Sequence, residues 1–134
     1  MNLQINAKKT IILFNFLLVL SSCNKDKVKT VHYELSGTYS GKLTVNYTDE
    51  NGIIQTVSNL SLPWSKDISP SSNISKVYFY TQNTPTFTGQ QFELVTVKIE
   101  AKNNNGKYIH HHSENNFSAT QNGEITSDTL TVDL

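Results

Sequence analysis

From residue 31 onward, apolar side chains fall on every second position. Val31, Tyr33 and Leu35 alternate with His32, Glu34 and Ser36, and Leu43, Val45 and Tyr47 with Lys42, Thr44 and Asn46. Val95, Val97 and Ile99 alternate with Thr96, Lys98 and Glu100, and Leu130, Val132 and Leu134 end the chain in the same way. A period of two with polar partners predicts strands with one face buried and one wet. Two further runs, Ile53 to Leu60 and Lys76 to Gln82, are β-prone with a less regular pattern. "DENG" at Asp49 to Gly52 and "NNNG" at Asn103 to Gly106 supply residues that tolerate positive φ, as hairpin turns require. Pro63, Pro70 and Pro85 punctuate the longer loops. No stretch after residue 30 has a helical period. The spacing predicts about seven strands over residues 31–134, in one antiparallel β-sandwich; the alternative is a small lipocalin-like barrel.

The N-terminal pattern is different. Lys8 and Lys9 precede an apolar run, Ile11 to Leu20, broken only by Asn15. Ten helical residues would span roughly 15 Å, about half of a ~30 Å hydrocarbon core, so the run reads as a secretory h-region and not as a permanent span. It ends in Leu20-Ser21-Ser22-Cys23, which contains the only cysteine of the chain. This tetrad resembles the lipobox of bacterial lipoproteins: an aliphatic residue, two small ones, and the cysteine that is lipidated. The resemblance implies a signal peptide over residues 1–22, a diacylglyceryl thioether and acyl chains such as palmitate on Cys23, and a lipidated tether over residues 23–30. Each buried methylene contributes about 0.8 kcal/mol, so two or more chains hold a protein on a bilayer. The expected location is the bacterial cell envelope, at the outer membrane. Cys23 is then an anchor; it is neither a nucleophile nor half of a disulfide.

Cleavage before Cys23 leaves 112 residues, enough for one domain with its own core. These carry 9 lysines against 11 acids and no arginine. Phosphate and base-edge recognition rest on arginine's bidentate fork, so a near-neutral domain without one is not read as a nucleic-acid binder.

Three motifs point to a family. They are V-x-Y-x-x-x-G at Val31, Tyr33 and Gly37, V-x-Y-T-x-x-x-G at Val45, Tyr47, Thr48 and Gly52, and S-N-L-S-L-P-W from Ser58 to Trp64. Over residues 31–100 the chain resembles the mycobacterial MmpS-type transport accessory proteins and related small envelope lipoproteins. The resemblance implies an immunoglobulin-like sandwich tethered to a membrane, with an envelope or transporter protein as partner. It supplies no catalytic residue and no cofactor. The domain is therefore read as a non-catalytic, partner-binding or transport-accessory module.

The residues with chemical potential fit that reading. Leu60, Leu62 and Trp64 alternate toward a strand end marked by Pro63, and Trp64 is read as a largely buried plug of the core, or else a stacking platform. His110 and His112 would share one strand face roughly 6.5–7 Å apart, with Glu114 or His32 as a third ligand. No H-E-x-x-H or H-x-x-E-H pattern accompanies them, and the cluster is read as a polar strand end without a metal. Ser113 and Asp128 offer no triad geometry, and no G-x-S-x-G elbow occurs. Asp49 and Glu50 lie on a turn tip, where solvation would leave their carboxyl groups ordinary. On the barrel alternative the domain would carry a small apolar ligand among Trp64, Phe79, Tyr80, Phe87 and Phe92.

Overall fold

The computed structural model describes residues 28–103 and 105–134, the side chains of 108–113 excepted. These form eight strands: β1 (Thr30–Gly37), β2 (Leu43–Thr48), β3 (Ile54–Leu60), β4 (Trp64–Ile68), β5 (Lys76–Asn83), β6 (Leu94–Lys102), β7 (Tyr108–Ser118) and β8 (Leu130–Asp133). They lie in two four-stranded antiparallel sheets, ordered β4-β1-β6-β7 and β3-β2-β5-β8. The two sheets face each other as a β-sandwich, and no closed barrel forms.

The alternating positions build the interface between the sheets. Val31, Tyr33 and Leu35 of β1, with Val95, Val97, Ile99 and Ala101 of β6, come from one sheet, and each is fully buried. Leu43 and Val45 of β2, Val77 and Phe79 of β5, and Val132 of β8 meet them from the other. At the centre Tyr33 packs against Tyr47 and Phe79, with ring centroids 5.5 and 5.1 Å away. Its hydroxyl donates to the Thr48 carbonyl at 2.7 Å, a hydrogen bond from one sheet to the other. Burial removes the hydroxyl from water and raises its pKa above the ordinary tyrosine range; Tyr47 and Asp49 add to this.

Three details depart from the pattern read in the sequence. The strand count rises to eight because β4 is a separate strand, paired with β1 from Leu35↔Trp64 to Val31↔Ile68. Its sequence, Trp-Ser-Lys-Asp-Ile, puts Lys66 in register with buried Tyr33, so no apolar alternation marks it. A lysine at that position on an edge strand also discourages further pairing. Second, β2 is buried on both faces and not half wet. Its outward polar side chains are capped by neighbours: Thr44 Oγ1 by Ser58 and Thr84, Asn46 Oδ1 by Thr56 Oγ1 at 2.7 Å, and Thr48 Oγ1 by the Tyr78 amide at 2.9 Å.

Third, the Asp49–Gly52 turn forms, with Gly52 at φ 83°, but Asp49 is not an ordinary solvated acid. It is 8% exposed and accepts the Asn51 and Ile53 amides at 2.9 Å and Gln55 Nε2 at 2.7 Å. The Ile53 amide is the main cause of a lowered pKa, outweighing burial.

Candidate functional site

Two regions gather side chains that could recognise something. The first is the outer face of the β4-β1-β6-β7 sheet, where polar alternates from neighbouring strands stand side by side. His32 Nδ1 lies 2.6 Å from Asp67 Oδ1 across the β1–β4 pair, and its Nε2 is 3.7 Å from Glu34. Glu34 lies 3.6 Å from Lys98 on β6, whose ammonium sits 2.6 Å from Glu100. Lys102 approaches the second Glu100 oxygen at 3.1 Å. Glu100 is only 4% exposed. Burial alone would raise its pKa, but hydrogen bonds and attraction from Lys98 and Lys102 outweigh that and hold it at about 2. His32 and Glu34, with Pro63, Trp64 and Ser65, also line a shallow depression of about 280 Å³ at the β4 edge.

The second region is the end of the sandwich where β1 finishes and β6 begins. Here the segments 38–42, 84–93 and 119–125 are tied together. Tyr39 is 4% exposed. Its hydroxyl donates to the Gly123 carbonyl and accepts the Gly89 amide, each at 3.0 Å. The backbones of Gly89 and Gly123 approach so closely that a Cβ on Gly123 would collide with the Gly89 carbonyl. Glu93 accepts the Ser40 amide and hydroxyl at 2.9 Å and the Gln90 amide at 2.8 Å, the Ser40 amide being the main cause of its lowered pKa. Above this clamp stand Phe87, Phe92 and Leu94, which are 53%, 73% and 46% exposed.

The residues read as possible ligand contacts do not share a cavity. Phe79 is fully buried in the core. Tyr80 pairs with Asn46 and points to the outer side of its sheet. Phe87 and Phe92 lie at the loop-bearing end, away from both. Trp64 is partly exposed and packs against the core, its ring 5.9 Å from Tyr47 and stacked on Phe79 at 6.1 Å. Separate sheets with a filled interior leave no place for the lipocalin-like arrangement. Cys23 lies outside the described residues. His110 and His112 lie on the backbone of β7, where His110 pairs with Ala101 at an irregular register, and their side chains are not among those described. Among the described residues no three His, Cys, Asp or Glu side chains form a metal-binding group.

The loop-bearing end was missed in the sequence because its signal is dispersed. Exposed aromatics at residues 87 and 92 look like any β-prone residues until the clamp from Tyr39, Gly89 and Gly123 brings the loops together. No helix among the described residues is long and apolar enough to cross a membrane. Among curated proteins none matches the chain. The profile of the family described as "Mycobacterium membrane protein" matches residues 19–100, from the end of the apolar run to β6. That span is more than half of the chain, which therefore belongs to this family of membrane-associated envelope proteins.

Proposed function

We propose that the protein is a non-catalytic lipoprotein, anchored through Cys23 at the outer membrane, whose β-sandwich serves as a partner-binding or transport-accessory module. The observation that carries this is the extent of the family match. A single membrane-protein profile runs from the apolar run's end through Cys23 and strands β1 to β5 into β6, which supports membrane attachment and sandwich as parts of one unit. The interior supports a binding role for the surface: its core residues are filled in by one another, and the carboxylates Asp49, Glu93 and Glu100 hold backbone amides or lysines.

Cys23→Ala tests the anchor. Metabolic labelling with a palmitate analogue should mark the wild-type protein and leave the variant unlabelled as an uncleaved precursor. A free Cys23 thiol in the mature, membrane-extracted wild type would overturn the proposal.

A further inference from the structure

We infer that the end of the sandwich bearing Phe87, Phe92 and Leu94 is a docking surface for a protein partner that offers an apolar cleft with a lysine- or arginine-bearing rim. The inference rests on the proposed anchoring at Cys23 and specifies the surface that the proposed binding role would use.

Exposure and rigidity come first. Phe92, at 73% exposed, is the most solvent-exposed large apolar residue among the described residues, and Phe87 and Leu94 belong to the same end. Their loops are held: Lys42 donates its amide to the Phe87 carbonyl at 2.8 Å, and Phe92 donates to the Ala119 carbonyl at 3.2 Å. Phe92 adopts φ 63° and Thr86 φ 73°, left-handed values that disfavour side-chain-bearing residues. Strained backbone that persists because its surroundings fix it is concentrated at ligand clamps and binding loops. A large aromatic displayed on a fixed loop binds with little further loss of conformational entropy, as interface anchors do.

Charge and position select the occupant. Segments 38–42, 84–93 and 119–125 contain one lysine, Lys42, against Glu93 and Glu124. Surfaces that insert into anionic bilayers pair their apolar residues with lysine and arginine, and this end has the opposite sign. The same charge disfavours a second copy docking tip to tip. Position agrees. The chain enters β1 at Thr30 and reaches the tip at Gly37, a strand of about 26 Å at ~3.3 Å per residue. From Cys23 to Thr30 a fully extended chain spans about 24 Å at ~3.4 Å per residue, so an anchored domain standing upright presents the tip away from its own bilayer. A basic-rimmed protein surface meets both conditions.

The test uses the full-length, lipidated protein in its native cell, with the photo-crosslinker p-benzoylphenylalanine placed singly at positions 87 and 92. Tyr78 and Ser65, on the outer faces of the two sheets, serve as control positions. The expected result is one protein adduct from both tip positions, cross-linked within an apolar peptide flanked by lysine or arginine. Its yield should fall at least tenfold in Glu124→Lys, a variant whose thermal midpoint stays within about 2 °C of the parent. Adducts to phospholipid, or to a second copy of the chain, would overturn the inference. So would an undiminished yield in the charge-reversed variant. Adducts from positions 65 or 78 alone would refute the tip while leaving the partner-binding role standing, and absence of adducts at all four positions would remove both.

Discussion

Removing one oxygen atom, by Tyr33→Phe, should loosen the sandwich without disturbing its packing. The Tyr33 hydroxyl is fully buried and donates at 2.7 Å to the Thr48 carbonyl, joining β1 of one sheet to β2 of the other. The phenyl ring would keep its contacts with Tyr47 and Phe79. Only the hydrogen bond and the satisfaction of a buried carbonyl are lost, which together cost about 1–2 kcal/mol. For a domain of this size each kcal/mol lowers the thermal midpoint by roughly 4–5 °C, so the variant should melt about 4–10 °C lower at pH 7. The pH dependence gives a second signature. The folded-state pKa of Tyr33 is raised above its ordinary value near 10. Its stabilising contribution is therefore complete below pH 10 and declines as pH rises toward the folded-state value, because the unfolded chain releases a proton that the folded chain keeps. The slope is at most about 1.4 kcal/mol per pH unit for one group. Urea unfolding of both proteins from pH 8 to 11, followed by circular dichroism, should show a steeper alkaline decline in the wild type and convergence of the two stabilities. An unchanged midpoint at pH 7, or parallel alkaline declines, would refute the assignment of Tyr33 as a bond between the sheets.

Two further outcomes follow from the same geometry. Glu100 has a folded-state pKa lowered to about 2 from its ordinary 4.5, so its contribution is present above pH 4.5 and is lost as pH falls from there toward 2. Glu100→Gln should flatten that part of the acid unfolding curve measured by circular dichroism. Trp64 packs against the core but keeps part of its surface exposed, so Trp64→Ala should cost about 2 kcal/mol in urea unfolding, below the ~3–5 kcal/mol of a fully buried aromatic. The wild-type emission maximum should fall between those of buried and water-exposed indoles.

The strands that were legible in the sequence are those where burial alternates. β1 reads intermediate and buried by turns along Thr30 to Leu35, and β6 alternates in the same way from Leu94 to Ile99. Alternation works because one face of each strand meets the opposing sheet. It fails for two opposite reasons. β4 is an edge strand with too little buried surface to need apolar alternates, and Lys66 occupies a core-facing register position. β2 is central, and side chains of β3 and the Tyr78 amide of β5 satisfy its outer threonines and asparagine; no pattern within β2 reveals that cover. The exposed aromatics failed for a third reason. Whether Phe79 or Phe92 is buried depends on pairing partners some 30 to 50 residues away, so a one-dimensional reading grouped residues that the fold separates.

The direction of the shifted carboxylates bears on what the domain can do. A general acid working near neutral pH needs its pKa raised, by burial without compensating donors or by a neighbouring like charge. Asp49, Glu93 and Glu100 are each shifted downward. The cause is the same in kind at all three: donors aimed at the anion, from turn amides at Asp49, from Ser40 and Gln90 at Glu93, and from two lysines at Glu100. These anions are stabilised where they sit, and releasing or accepting a proton near pH 7 would sacrifice the contacts that hold a turn, a loop and a strand pair. Glu93 is the most telling of them. Its three hydrogen bonds fix the loop that carries Phe92, so the carboxylate's electrostatic contribution goes into the shape of an exposed apolar surface. That use of charge to set the geometry of an exposed apolar surface supports the proposed binding role of this end.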